Sequence, residues 1–221
     1  VEQDKRSQIA ESFRLIRTNV DFILNANDEN SAKVIGVTST MPGEGKSFVS
    51  LNLSSTLALS GKRVLLIGMD LRKPKLLEYF KIQSHSKGIT HFLSDSKVKV
   101  SDLIFSAPNN IKNFDLIESG IIAPNPAELL LSPRVADLFK FVKSKYDYIV
   151  VDTAPVNLVT DTLLINNYID LFVYVARANY LDKRLLSVAE TLNIEKRLNK
   201  MAMLVNGVDK KRGYGYGYGY G

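Results

Sequence analysis

The chain contains no cysteine and only two histidines in 221 residues. The first absence removes any disulfide framework and any cysteine-based metal site, and it fits a reducing compartment. His85 and His91 stand in a turn-rich segment without partner ligands, so no histidine metal centre is expected. No apolar run approaches the roughly 18 to 20 residues that a bilayer-crossing helix needs. The first residues show no charged-apolar-small leader, so a soluble, cytoplasmic protein is expected. Also missing is an aromatic-interleaved basic stripe of the kind that reads nucleic acid. The formal charge of +6 permits an acidic partner. Its basic residues are dispersed, however, apart from "GKR", "LRKPK" and "DKKR", and solvated surface accounts for most of them.

What is present is an alternation of strand and helix signals. Short apolar, β-branched runs occupy 32–39, 63–69, 113–119, 146–152, 169–176 and 201–208. Several are apolar at nearly every position, as in strands covered on both faces of a parallel sheet. Helix-length segments lie at 47–60, 132–144 and 181–198. The expectation is one α/β domain over 1–212 with a doubly wound, mostly parallel sheet. Ahead of it, "SQIAESFRLIRTNVDFIL" (7–24) spaces Ile9, Phe13, Ile16, Val20 and Ile23 by three and four. That is an amphipathic helix, with Glu11, Arg14 and Arg17 on its polar side. Residues 84–112 read as short helices and loops on one side of the sheet.

The segment after the first strand, "TSTMPGEGKSFVSLNLSSTLAL", carries chemistry. Gly43 and Gly45 allow a tight turn whose backbone N–H groups face phosphate oxygens. Lys46 reaches terminal phosphates, and Ser47 suits Mg²⁺ where the next helix presents its positive end. Gly43, Glu44, Gly45, Lys46, Ser47 and Phe48 are therefore the expected nucleotide contacts, although the strict P-loop spacing has Thr40 where its first glycine would stand. Asp70 and Asp152 each end an apolar run, and strand termini on the carboxyl side of such a sheet face the ligand crevice. Both are expected to serve the metal.

The chain closes on "GYGYGYGYG" (213–221). A packed domain gains nothing from alternate glycines, so this is either a disordered or appended end or a set of tyrosines that must reach something else.

Taken together, these motifs resemble the bacterial tyrosine kinases, the BY-kinases, and most closely the capsule-synthesis kinases of Gram-positive bacteria. "ESFRLIRTN" matches the family's Glu-x-x-Arg-x-x-Arg element, "MPGEGKS" its Walker A and "LLIGMDLRKP" its second acidic motif. "ESGIIAPNPAELL" matches its Pro-Asn-Pro loop, "IVVDTAPVNLVTD" its Walker B, and the end its tyrosine cluster. The resemblance implies a P-loop kinase that uses ATP and Mg²⁺. Lys46, Asp70, Asp152 and Arg72 would be catalytic, and Ser47, Asp70 and Asp152 would serve the metal. It implies that Tyr214, Tyr216, Tyr218 and Tyr220 are phosphorylated in a neighbour's active site, and that Glu11, Arg14 and Arg17 lie in a subunit contact of a ring, usually an octamer. The implied partners are a transmembrane activator of the polysaccharide co-polymerase type, which recruits the kinase to the inner face of the membrane, a cognate tyrosine phosphatase and further tyrosine substrates.

One departure matters. The family's Asp-x-Asp-x-Arg has Gly68 in place of its first aspartate, so that Gly68→Asp is expected to raise autophosphorylation. A partitioning-type ATPase switch is the alternative, but its signature lysine would stand where this chain has Met41.

Overall fold

The computed structural model describes residues 8–24, 31–81, 87–108, 111–157 and 160–208. Seven strands form one sheet: β1 (Lys33–Ser39), β2 (Val64–Gly68), β3 (Phe105–Ser106), β4 (Phe114–Ile117), β5 (Tyr148–Asp152), β6 (Leu171–Arg177) and β7 (Met201–Asn206). Their order is β3-β4-β2-β5-β1-β6-β7, and every pairing is parallel except that of β3 with β4. Strands β1, β2 and β5 are buried at every position. That is why they read as unbroken apolar runs. Strand β3 was not foreseen inside 84–112, because two residues are too few to leave a period-two signature.

Helices cover both faces. On one, Phe13 and Val20 of α1 (Gln8–Leu24) and Leu53 and Leu57 of α2 (Lys46–Leu59) pack with Ile35, Leu66 and Val150. Beside them lies α3 (Leu76–Phe80), anchored through Leu76. On the other face, residues from α4 (Ile89–Ser94), α6 (Arg134–Lys143) and α8 (Leu186–Ile194) meet Leu65, Ile67 and Ile149. Between these run α5 (Pro126–Leu130) and α7 (Asp161–Leu164). Helix α5 begins with Pro126, whose fixed φ and missing N–H suit a first helical turn. The helix expected over 181–198 is shorter. Lys183–Leu185 form a 3₁₀ turn before α8, and Lys196 ends the helical stretch in the left-handed region at φ 52°.

The stripe by which α1 docks differs from the expected one. Ala10, Phe13, Val20 and Leu24 are buried, whereas Ile9 is 51% exposed. Two contacts set this rotation: the Phe13 ring packs edge-on against Phe48 at 5.9 Å, and the Tyr148 hydroxyl donates to Asp21 Oδ1 at 2.6 Å. Burial and the bond to Asp21 push the Tyr148 hydroxyl up, and Arg17, half-buried between Phe13 and Val20 in sequence, opposes them. Glu11 and Arg14 instead pair with each other on the exposed side, a contact worth about 0.2 to 0.5 kcal/mol.

Candidate active site

Strand β1 turns through residues 40–45 into α2. Gly43 and Gly45 hold φ values of +86° and +99°, which strain any side chain, and the space beside them is closed as well. A Cβ on Gly45 would lie 2.2 Å from Asn206 Nδ2, and one on Gly43 would lie 2.7 Å from the Tyr180 hydroxyl. Those neighbours also hold the turn. Asn206 Nδ2 donates to the Glu44 carbonyl at 2.8 Å, the Arg177 guanidinium to the Gly43 carbonyl at 3.0 Å, and the Tyr180 hydroxyl to the Pro42 carbonyl at 2.9 Å.

Glu44 is fully buried, and its carboxyl accepts from the backbone N–H of Met41 at 2.6 Å and of Arg177 at 3.3 Å. Neither Glu44 nor Phe48 lines the cavity in front of the loop. Their side chains instead shape the turn and the α1 contact. Glu44→Ala leaves two N–H groups without acceptors. It is expected to cost about 1 to 3 kcal/mol, seen as a lower melting temperature together with weaker nucleotide binding.

That cavity, of about 410 Å³, is lined by Lys46, Ser47, Asp70, Arg72, Lys75 and Tyr79 among others. Asp152 stands behind this lining, reached through Ser47. It ends β5, in register with Val37 of β1 and Gly68 of β2. Ser47 Oγ donates to its Oδ2 at 2.6 Å, and Ser50 Oγ to its Oδ1 at 3.2 Å. Burial pushes the Asp152 carboxyl up to about 6, against the pull of Ser47, Lys46 and Ser50. Burial likewise draws Lys46 below the usual lysine range, opposed by Asp152, Asp70 and Glu44. A bound nucleotide and its cation would add further counter-charge to both groups. Magnesium takes oxygen ligands and keeps waters and phosphate oxygens in its shell. The Ser47 hydroxyl with the Asp152 and Asp70 carboxylates is a donor set of that kind.

Asp70 follows β2, and its Oδ1 accepts from the backbone N–H of Arg72 at 3.2 Å and Lys73 at 3.0 Å. Arg72 projects from that turn and binds Asp161, the first residue of α7, through Nε at 2.8 Å and Nη2 at 3.0 Å. Gly68 lies in the same row as Asp152. A Cβ there would meet Ser119 Oγ at 2.8 Å and Leu76 Cδ2 at 3.5 Å, and that serine donates to the Gly68 carbonyl at 2.9 Å.

The structure therefore brings Lys46, Ser47, Asp70, Arg72 and Asp152 together. Glu11, Arg14 and Arg17 lie on α1, apart from this cavity. Tyr214, Tyr216, Tyr218, Tyr220 and His85 are outside the described residues. Sequence reasoning missed Ser50, Tyr79, Asp161, Arg177, Tyr180 and Asn206. Ser50 carried a faint signal, one helical turn after Lys46 on the face toward β5; Asp161 closes "IVVDTAPVNLVTD" without an assigned role, and Tyr79, Arg177, Tyr180 and Asn206 carried no signal.

A family model described as an AAA domain matches residues 32–200. Tyrosine-protein kinase YwqD of Bacillus subtilis is 33% identical over 204 residues, covering 92% of this chain and 83% of that protein. This chain belongs to the bacterial tyrosine kinases. Another member, a putative tyrosine-protein kinase in the cps region of Klebsiella pneumoniae, is 34% identical over 203 residues, or 91% of this chain, which spans 27% of that longer protein. Among solved structures, the kinase domain of Escherichia coli tyrosine kinase ETK is similar with a TM-score of 0.82 and 29% identity, over 95% of this chain and 80% of that one. In this tyrosine kinase the turn over 40–45, Asp70 and Asp152 meet at the carboxyl ends of the central strands.

Proposed function

We propose that this chain is an ATP- and Mg²⁺-dependent protein-tyrosine autokinase whose domain over 1–212 phosphorylates the tail tyrosines Tyr214, Tyr216, Tyr218 and Tyr220 of a neighbouring copy. The observation that carries this reading is the convergence of Lys46, Ser47 and Asp70 on one cavity at the start of α2, with Asp152 bonded to Ser47 behind it. Backbone N–H groups of 43–47 hold the phosphates, and Lys46 fixes the terminal one. When bound between Ser47, Asp152 and Asp70, Mg²⁺ would neutralise charge on the transferring phosphoryl group. Asp70 accepts the proton of the incoming tyrosine as its oxygen bonds to the γ-phosphorus and the bond to ADP breaks. Such chemistry needs positioning and charge more than covalent help.

The family further supports a ring, an octamer in its usual form, with Glu11, Arg14 and Arg17 at a subunit contact. Among the described residues no helix is long and apolar enough to cross a membrane. Recruitment to the inner membrane face then falls to a transmembrane adaptor, with a cognate phosphatase reversing the modification. Four phosphotyrosines would carry roughly six to eight negative charges, a physical reason for the ring to open during capsular polysaccharide synthesis and export.

Intact-mass analysis with ATP and Mg²⁺ tests the proposal. Up to four added phosphates on Tyr214 to Tyr220, absent in Lys46→Met, are expected. An unmodified tail on a chain that binds nucleotide would overturn it in favour of a nucleotide-dependent scaffold.

A further inference from the structure

We propose that Asp161 is a positioning residue that aims Arg72 at the terminal phosphate of the bound nucleotide. The inference rests on the nucleotide reading of the cavity and adds a residue that the motifs left without a role. Asp161 is buried, with a side chain 2% exposed, while the Arg72 side chain is 41% exposed and borders the cavity. A carboxylate taken that far out of water needs a fixed cationic partner. Both of its oxygens accept from Arg72, one from Nε and one from Nη2. This side-on fork fixes the guanidinium plane and leaves the Nη1 edge for another anion.

The anchor itself is rigid. Thr162, beside Asp161, donates its hydroxyl to the Ala154 carbonyl at 2.7 Å, and the same carbonyl accepts from Thr38 of β1 at 3.0 Å. The loop after β5 is tied to the phosphate-loop side by Val156 N–H donating to the Ser39 carbonyl at 2.9 Å. On the other side, Asp70 fixes the backbone of Arg72. Arg72 is thus held at both ends, by Asp70 at its backbone and by Asp161 at its head. An arginine restrained in this way loses little freedom when it meets a phosphate, whereas a free one on the surface must be ordered first.

The test compares the affinity for ADP with that for a non-hydrolysable ATP analogue, measured by calorimetry with Mg²⁺ on the full chain. The unmodified chain is expected to prefer the triphosphate. Asp161→Asn and Arg72→Ala should each reduce that preference by about tenfold, with ADP affinity within twofold, and the double variant should lose no more than either single one. Asp161→Glu, which keeps the charge, should recover part of the preference. Unchanged discrimination in Asp161→Asn, or losses that multiply in the double variant, would overturn the assignment. Thermal melts of each variant separate loss of aim from loss of fold. Because the readout is binding, an inactive tail would sink the kinase reading without touching this one, while Lys46→Met failing to weaken either nucleotide would sink the cavity assignment beneath both.

Discussion

Asp152→Asn is expected to make the nucleotide-free protein more stable at pH 7.5 and to lower tail phosphorylation by about 100-fold or more. An aspartate in the unfolded chain titrates near 3.9, whereas burial holds the folded Asp152 up to about 6. The folded state therefore binds this proton more tightly. The stability this group contributes is full below about pH 4, falls as pH rises toward 6, and by then has dropped by about 3 kcal/mol. Asparagine keeps an oxygen for Ser47 or Ser50 and carries no charge, so the loss disappears. Melting temperatures measured from pH 4 to 8 without nucleotide should fall for the native chain over the lower half of that range and stay level for the variant. A native chain that is flat there would mean that the carboxyl is ionised at no cost. The same substitution removes a charge from the proposed metal set, which is why activity should move in the opposite direction.

Gly68→Asp alone is expected to give little of the gain that the family motif suggests. The new Cβ would collide with Ser119 Oγ at 2.8 Å. Forcing it in should cost about 1 to 3 kcal/mol. The carboxylate would also stand in the same row as Asp152, and like charge there demands a cation. Paired with Ser119→Ala, which removes the obstructing hydroxyl, the acid should raise autophosphorylation by about tenfold, equivalent to about 1.4 kcal/mol at the transition state. Initial rates of phosphate incorporation for the single and double variants decide the matter. Equal rates in the double variant and the native chain would show that a carboxylate at 68 has no function in this protein.

The strands around the site were legible because a fully buried parallel strand has an unmistakable composition, as "VLLIG" and "YIVVD" show. Gly43 and Gly45 were legible as a tight turn between β1 and α2, and Asp70 and Asp152 as acids at or just past strand ends. What holds the loop was not. Glu44 was read as a nucleotide contact, yet its carboxyl accepts from the backbone N–H of Met41 and from that of Arg177, 133 residues later in the chain. Arg72 sat inside a basic run that read equally well as solvated surface until the structure set it against Asp161, 89 residues away. On α1 the three-and-four spacing could be traced along either of two adjacent stripes. Only the partner surfaces, Phe48 and Tyr148, chose the one that half-buries Arg17.

The hydrogen bond from Asn206 to the Glu44 carbonyl joins residues 162 positions apart, and a ribosome makes them in that order. At roughly 5 to 20 residues per second, the phosphate loop waits about 10 to 30 s for the strand that braces it. Until then the turn before α2 lacks this brace. It arrives with β7, and the tail tyrosines, the acceptors under the proposed function, begin eight residues after that strand ends.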